Sequence, residues 1–500
     1  MAVLTRRTIA LAVLAVCCAA GRPDLPTGEA SPSIVARAHW EIATSSPSAQ
    51  AAFDRGLVML YAFNAGEARA AFRSAERADA RAVLPYVGEA LAETIDINRP
   101  TTPEGERRAA DALARGRPAA AAATPDDRAL YAAAAARFDT ARSQKQRFTA
   151  FFTMLQAFAQ AHPSDGTAST LAAYAGYNAT GVLTQGSADD LTADAQTIAA
   201  DLDRALGVDP GDVGAHHLRI HFWEEAHRPE RALADANVLA GLQYDPGESH
   251  LEHMAGHIYD RLGEYAQMVA VNESACANDA AYFGQGRDDA QDVMRGYHEH
   301  NVDFVLYGLT TLGLNAPARA FAAHETLYSR EIVALREHDD RGVLALLGDA
   351  VTPLRVIAEA RAGDLEAARK DLAGLPAHGG GTGESDLAAA AVARAAHDDA
   401  AALAAYRKAL AAQGAFLGDP KAHWWAPPGE GLGATLLEAR NAPEAERTFR
   451  VELSRYPNDP RLEFGLAEAL AAQGKDDSAA RNAYRGEWKG EKPLTLGDLG

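Results

Sequence analysis

Apolar positions along this chain recur at intervals of three and four residues, which is the spacing along one face of an α-helix. Two such stripes follow each other between residues 53 and 92. The first stripe contains Leu57, Leu60 and Tyr61, and the second contains Ala68, Ala71, Phe72 and Ala75. Asn64-Ala65-Gly66 separates them, so the segment predicts two amphipathic helices joined by a short turn.

The same arrangement returns near the other end of the chain. Residues 432–437 and 445–453 form a second helix pair, residues 456–460 break it, and a further helix is predicted over 462–473. A repeated helix pair of about 34 residues is the tetratricopeptide unit. The pattern therefore predicts an all-α, tetratricopeptide-like, right-handed helical-repeat solenoid.

One glycine-rich stretch interrupts this array. We predict N-terminal and central repeats over residues 35–375, a glycine-rich loop over 376–385, and C-terminal repeats over 386–490. In a solenoid, the first helices of successive repeats line the concave side. Side chains on those helices can therefore meet.

Composition supports the helical interpretation and narrows the range of partners. Apolar residues make up 48% of the 500 residues, and long alanine runs favour closely packed helices. The net charge is −20, with no basic cluster outside the N-terminus. Because nucleic-acid binding depends on Lys and Arg neutralising phosphates, a nucleic-acid partner is not expected.

The first 20 residues have the pattern of a signal peptide, with Arg6 and Arg7 before a short apolar run and small residues. We therefore expect export to the periplasm or cell surface. An imperfect lipobox ending at Cys17 leaves open a lipid anchor, and a partial twin-arginine motif leaves open the twin-arginine route. No segment is long enough to predict a membrane span.

Cysteine is scarce, which limits the kinds of metal site. Of three cysteines two lie in the leader, so Cys276 alone remains beyond it. Neither an intrachain disulfide nor a thiolate zinc cluster can form. Any metal site must use histidines and carboxylates.

Histidines are concentrated in the middle of the chain, where nine of the sixteen fall between residues 216 and 300. His217 and His221 are four residues apart, and so are His253 and His257. Residues at this spacing share one helix face. The two pairs are also offset by 36 residues, which places them at equivalent positions of successive repeats.

A third helix, predicted over residues 289–312, carries His300 and Tyr297. Neighbouring helices pack with axes roughly 8–10 Å apart, so these side chains can reach a common point. Imidazole is a good ligand for copper, iron or zinc. The hypothesis is a transition-metal site whose direct ligands are His217, His221, His253 and His257, with His300 as a fifth or alternative ligand.

Two further residues extend the stripes. His250 lies seven residues before His257, and Glu224 lies seven after His217. We interpret both as outer ligands or as groups that orient the rings. The competing interpretation is a structural polar seam copied between repeats. His216, His227 and His298 are off the stripes and are expected at the surface.

The reaction is not specified by any motif, because His-Glu-x-x-His, G-x-S-x-G and P-loop patterns are all absent. Tyr259, Tyr297 and Tyr307 beside a histidine-only site suit copper or iron redox chemistry. An open position beside Glu224 suits zinc hydrolysis instead. We favour a redox metalloprotein or oxidoreductase over a hydrolase, with Glu224, Tyr259 and Tyr297 as catalytic candidates.

A second function class remains open. Tetratricopeptide arrays commonly act as interaction scaffolds, and fold alone does not decide function. The alternative is a metal-free scaffold that binds a peptide, a protein partner or a small molecule in its concave groove.

These motifs resemble a family of exported bacterial tetratricopeptide-repeat proteins. The resemblance rests on a Gly-Ala-x-His-x-x-Ile-His helix at residues 214–221, on Pro-Glu-Arg-Ala at 229–232, and on a His-x-x-His-Met-x-x-x-His-Ile-Tyr helix at 250–259. An Arg-x-Gly-x-Tyr turn at 261–265 and His300-Asn301 agree with it as well. The resemblance spans most of the chain beyond the leader, and it implies the repeat fold and the histidine site but hardly any chemistry.

The chain departs from that family pattern in two places. Leu218-Arg219 stands where two tyrosines are expected, and Ala255-Gly256 stands where Pro-Ser is expected. The histidines are kept through both changes, so the departures concern the lining of the site and not its ligands.

Overall fold

The computed structural model describes residues 34–35, 37–180, 183–185, 187–285, 291–375, 383–414 and 427–500. The predicted signal peptide, residues 1–20, and residues 376–382 of the predicted glycine-rich loop lie outside these ranges. Within them the chain is almost entirely helical. The prediction of an all-α, tetratricopeptide-like repeat fold is confirmed.

The helices of the first part of the chain are α1 Pro47–Tyr61, α2 Ala65–Ala78, α3 Leu84–Leu91, α4 Pro103–Ala122, α5 Pro125–Arg137, α6 Gln144–Ala161, α7 Gly166–Ala179, α8 Ala193–Val208, α9 Val213–Glu225, α10 Leu233–Ala240, α11 Ser249–Leu262, α12 Tyr265–Phe283 and α13 Gln291–Thr311. Those of the second part are α14 Asn315–Ala322, α15 Leu327–Arg336, α16 Asp340–Leu347, α17 Pro353–Arg361, α18 Leu365–Gly374, α19 Glu384–Ala395, α20 Asp399–Gly414, α21 Pro428–Glu438, α22 Ala442–Arg455, α23 Pro460–Ala471 and α24 Ser478–Glu487. Short 3-10 turns cover Pro229–Ala232 and Leu496–Asp498.

Consecutive helices pack against each other, and alternate helices pack side by side, which is the contact pattern of a solenoid. In the middle of the chain α9, α11 and α13 are such alternate helices, and α10 and α12 separate them in sequence. Three first-type helices of successive pairs therefore lie next to one another, as the 36-residue offset predicted.

The N-terminal part of the chain also packs against the middle of the array. Helix α1 packs against α9, although more than 150 residues separate them in sequence. Strand β1, Ile34–Val35, pairs in parallel with Leu242–Gln243, which follows α10. The remaining strands, Thr184–Gln185 and Ser187–Leu191, form a small antiparallel hairpin. This packing brings the first helix pair to the histidine-bearing repeats.

Local sequence signals set the ends of the central helices. Helix α9 begins after Asp212, whose carboxylate accepts a hydrogen bond from the amide of Ala215 at 3.0 Å. Helix α11 ends at Gly263, which has a left-handed φ of 73°. A Cβ at this glycine would lie 2.1 Å from the carbonyl oxygen of Pro457, so no side chain fits where α11 meets the C-terminal repeats.

The apolar interior forms two clusters. The first extends from Ile42 to Val333 and encloses the central repeats, and the second extends from Ile332 to Leu499. Among the described residues, no helix has both the length and the hydropathy required to cross a bilayer.

Candidate metal centre

Three neighbouring helices carry all six predicted histidine ligands. Helix α9 carries His217 and His221, α11 carries His250, His253 and His257, and α13 carries His300. The structure brings these six side chains together, but it divides them into two groups of three. In each group the candidate ligand nitrogens all lie within 4.8 Å of one another.

The first group consists of His217, His221 and His250, and it joins α9 to α11. The Nε2 atoms of His217 and His221 are 3.1 Å apart. The ring centroid of His250 lies 5.0 Å from that of His217. His250 was predicted as an outer ligand, and its position makes it a full member of this group.

The second group consists of His253, His257 and His300, and it joins α11 to α13. The Nε2 atoms of His253 and His257 are 2.9 Å apart, and those of His257 and His300 are 3.4 Å apart. Each group therefore consists of two histidines four residues apart on one helix and a third histidine from the neighbouring helix.

Hydrogen bonds at Nδ1 orient two of the buried rings. The Nδ1 atom of His217 lies 2.7 Å from the carbonyl oxygen of Tyr61, and that of His253 lies 2.6 Å from Oδ1 of Asn272. The amide nitrogen of Asn272 donates to the carbonyl of Met268, which fixes its oxygen toward His253. Because both partners accept, each Nδ1 donates its proton and each Nε2 keeps a free lone pair.

A carboxylate orients the ring of His257 in the same way. Its Nδ1 lies 3.1 Å from Oε2 of Glu224, whose Oε1 accepts from Nε of Arg261 at 2.9 Å. Burial by itself would raise the pKa of Glu224, but the adjacent His257 and Arg261 hold it well below its usual range. A histidine that donates Nδ1–H to a carboxylate is the common outer arrangement of a metal ligand.

The Nε2 atoms of His253 and His257 face each other at 2.9 Å, and the Nδ1 hydrogen bond of His253 leaves a lone pair on its Nε2. A proton between them would relieve this contact, yet burial and the neighbouring imidazoles lower the pKa of His253 well below its ordinary value. The arrangement presents electron pairs to a common point, which is what a metal cation requires.

His250 offers the most direct indication of a ligand. Its side chain is 1% exposed, and neither ring nitrogen has a hydrogen-bond partner among the described residues. Burying an imidazole without a partner costs free energy, so such groups in native proteins call for an explanation. Burial, followed by the nearby His217 and His253, lowers the pKa of His250 far below its usual value. The ring is therefore neutral and does not gain a partner by protonation.

The remaining electrostatics agree with neutral rings. Burial is also the main cause that lowers the pKa of His221 to about 3 and that of His217 well below its usual range. Neutral imidazole is the form that binds metals. His221 and His300 keep intermediate exposure, one in each group, whereas His217 and His253 are fully buried.

Aromatic rings wall the two groups. Phe63 lies 4.6 Å from His217 and 5.1 Å from His250, and Phe304 lies 4.9 Å from both His257 and His300 (centroid distances). Phe63 has a left-handed φ of 55°, an unusual backbone conformation for a bulky residue. Such strain concentrates at functional sites, and here it places the ring over the first group.

The three tyrosines considered from the sequence lie in different surroundings. The ring of Tyr297 lies 4.2 Å from that of His250, and its hydroxyl is 3.0 Å from both carboxylate oxygens of Asp96. Tyr259 instead donates to Oδ1 of Asn237 at 2.9 Å. Tyr259 is two residues after His257, so helical geometry places it on the opposite face. The structure therefore does not support Tyr259 as a residue of this site, and it groups Tyr307 with Tyr265.

The expectation that His216 and His298 are surface residues is wrong. His216 is buried between the carboxylate of Asp235, at 2.7 Å, and the carbonyl of Pro210, at 2.9 Å. His298 is half-buried, at 3.2 Å from both Asp279 and Glu325. Burial alone would lower the pKa of both histidines, but these acceptors raise it. Only His227 is exposed as expected.

Comparison with known protein families gave no match, and comparison with curated proteins gave none either. Among solved structures, the chain is similar to the tetratricopeptide domain of P58(IPK) at 12% identity, over 85% of this chain and 98% of that one, with a TM-score of 0.25. For the Cut9–Hcn1 hetero-tetramer of the APC/C the identity is 12%, the similarity covers 73% of this chain and 79% of that one, and the TM-score is 0.28. For yeast Tom70 the identity is 13%, the similarity covers 86% of this chain and 83% of that one, and the TM-score is 0.22. At these values the fold assignment rests on the helix packing of this chain alone.

Sequence reasoning missed several residues of the site. Phe304 follows His300 by four residues, so the helical spacing could have revealed it. Asn272 interrupts the buried face of α12, and a polar residue in such a stripe is a usable signal. Gly256 admits Asn272, because a Cβ there would lie 2.3 Å from its amide nitrogen. Phe63 and the carbonyl of Tyr61 have no local signal.

Proposed function

We propose that this protein binds transition metal through His217, His221, His250, His253, His257 and His300, and that the bound metal serves redox chemistry on a small molecule. The observation that carries the proposal is the buried His250, which lacks a hydrogen-bond partner among the described residues, beside two histidine pairs whose Nε2 atoms are 2.9 and 3.1 Å apart. A metal cation accepts lone pairs from several imidazole nitrogens at once.

The donor chemistry favours copper. Neither group of three contains a carboxylate. Imidazole suits copper, iron and zinc, whereas magnesium, calcium and manganese prefer oxygen ligands. Among divalent first-row metals, a nitrogen site binds copper most tightly.

Zinc hydrolysis is less well supported because of the position of Glu224. Its carboxylate contacts Nδ1 of His257 and Nε of Arg261, on the side of the ring away from Nε2. From there it positions His257. A general base must instead reach the water at the metal. The acid-base role considered from sequence is therefore replaced by a positioning role.

Elemental analysis of the full chain, after loading with copper, zinc or iron(II) and removal of excess, tests the proposal. We expect retained copper in the natural protein and its loss in His217→Ala/His253→Ala. The matched control is His227→Asn/His324→Ala, which removes two exposed histidines and keeps a side chain tolerant of the left-handed backbone at position 227.

Metal content that is negligible in the natural protein, or equal in the two double variants, contradicts the proposal. In that case the protein would be better described as a metal-free scaffold, the alternative stated above. Circular dichroism on each variant separates loss of metal from loss of fold, because a helical-repeat protein that unfolds loses most of its helical signal.

A further inference from the structure

The six histidines form two donor sets and not one. The closest distances within each set suit a single ion, because nitrogens about 2.1 Å from one metal lie at most about 4.2 Å apart, and all the candidate ligand atoms of a set lie within 4.8 Å of one another. The Nε2 separations of 2.9, 3.1 and 3.4 Å all fall inside this limit. The grouping follows the helices, since each set takes a ring or rings from two adjacent repeats.

The two sets are also neighbours. Between the sets, the ring centroids of His250 and His253 are 5.8 Å apart, and those of His221 and His257 are 6.4 Å apart. Within the sets, centroid distances run from 4.7 Å for His253 and His257 to 6.2 Å for His221 and His250. The spacing hardly changes at the division, so the two sets adjoin each other directly.

Outer contacts support each set independently. The first set is oriented by the Tyr61 carbonyl and walled by Phe63, and the second is oriented by Asn272 and Glu224 and walled by Phe304. Each set thus has its own acceptor at Nδ1, its own aromatic wall and one ring with partial exposure.

We infer that the centre is dinuclear: two copper-class ions lie side by side, three imidazole nitrogens on each, and share one small bridging oxygen ligand such as hydroxide. Protein two-metal sites commonly hold their ions about 3.5–4 Å apart. Three protein ligands leave a further coordination position on each ion. Because His221 and His300 are the partly exposed members, the bridging ligand enters from their side. The inference rests on the proposed function and deepens it.

Stoichiometry and electron paramagnetic resonance of the full chain test this together. Copper(II) has one unpaired electron, and a bridging oxygen couples two such electrons so that their signal is largely lost. We expect two copper ions per natural chain with far less than two spins. His221→Ala/His250→Ala and His257→Ala/His300→Ala should each keep one ion with one full spin, and the retained ion shows that the variant is folded.

Other outcomes separate the inference from the proposed function. A single ion per natural chain that is lost in either variant overturns the dinuclear centre and leaves metal binding standing. Two ions with two full spins indicate isolated sites and overturn the bridge. A variant that binds no metal but keeps its helical circular dichroism shows that the sets are not separate, which also overturns it. No metal in any protein removes the proposed function as well.

If either double variant unfolds, the single changes His250→Gln and His300→Gln replace it. Each leaves two histidines in its own set and the other set unchanged, so the expected result is selective weakening of one of two binding events in a zinc titration. Equal weakening of both events contradicts the inference.

Discussion

Each hydrophobic core encloses a buried polar cluster, and the two clusters are compensated in different ways. In the C-terminal core, both terminal nitrogens of Arg336 donate to the carboxylate of Glu430 at 3.1 Å, and Nε of Arg461 donates to it at the same distance. In the central core the cluster consists of six imidazoles, and Nδ1 hydrogen bonds leave lone pairs on Nε2 of His217 and His253.

The C-terminal cluster stabilises its own members. Burial by itself would raise the pKa of Glu430, but Arg336 and Arg461 keep it below its usual value, so the carboxylate stays charged. Opposite charges then offset the cost of removing each ion from water.

The histidine cluster cannot do this, because two acceptors do not satisfy each other. Three of its rings, those of His217, His253 and His257, have Nδ1 hydrogen-bonded to Tyr61, Asn272 and Glu224. The comparison shows that burial and polarity alone do not mark a functional site. What distinguishes the histidine cluster is His250, a buried ring whose two nitrogens both lack a hydrogen-bond partner among the described residues.

The largest expected effect comes from breaking the charged cluster. Glu430→Ala leaves two buried guanidinium groups without their carboxylate, and removal of one partner of a buried pair costs about 3–5 kcal/mol. We expect this loss in urea unfolding of the full chain. Glu438→Ala is the control, because it removes an exposed partner of Arg394 and should cost at most about 1 kcal/mol. Equal losses of unfolding free energy in the two variants would show that the buried ion pairs contribute no more than an exposed one.

Bound metal should stabilise mainly the helices that carry the histidine cluster. Copper at 100 times its dissociation constant adds about 2.7 kcal/mol to the folded state per site. Peptide-resolved hydrogen exchange should show slower exchange in α9, α11 and α13 than in α21–α23 after loading. Equal protection of both regions would contradict a site confined to the central repeats.

A smaller effect is expected from the orienting residues. Asn272→Ala removes the acceptor of His253, and loss of such an outer contact typically lowers metal affinity about 10- to 100-fold. Asn278→Ala on the same helix is the control, since its amide donates to the carbonyls of Tyr244 and Asp245. Competition titration against a chelator measures both. A shift shared by the two variants would indicate general damage to α12.

The smallest effect concerns a carboxylate of the C-terminal core that is only partly compensated. Burial, opposed in part by Arg455, raises the pKa of Glu452 from 4.5 to about 7. Between these values the folded chain holds more protons than the unfolded chain, so stability falls as pH rises through this window. Glu452→Gln should remove this fall, on the order of 1 kcal/mol between pH 5 and pH 8.

Urea unfolding at both pH values checks this, with Glu491→Gln, an exposed position, as the control. A pH dependence that is the same in both variants would show that Glu452 does not titrate in the folded state as described. The result also sharpens the comparison, because Glu430 in the same core should not show this loss of stability with rising pH.

Helical periodicity alone determined a large part of this protein. The breaks at Asn64 and near Pro460, the pairing of helices, and the equivalence of His217 and His253 all follow from local spacing, because side chains four residues apart share a helix face. The same spacing selected five of the six histidines, and His300 was added because it lies on the next predicted helix. It could also have excluded Tyr259, which is out of phase with His257.

Only the tertiary structure decided how those histidines divide. His250 joins the pair on α9, and His300 joins the pair on α11, because adjacent helices offset their faces by an amount that no local pattern encodes. The Tyr61 carbonyl and Phe63 reach the site from more than 150 residues away, through the packing of α1 on α9. Contacts of this kind depend on how the whole core packs, and the sequence near the histidines contains no trace of them.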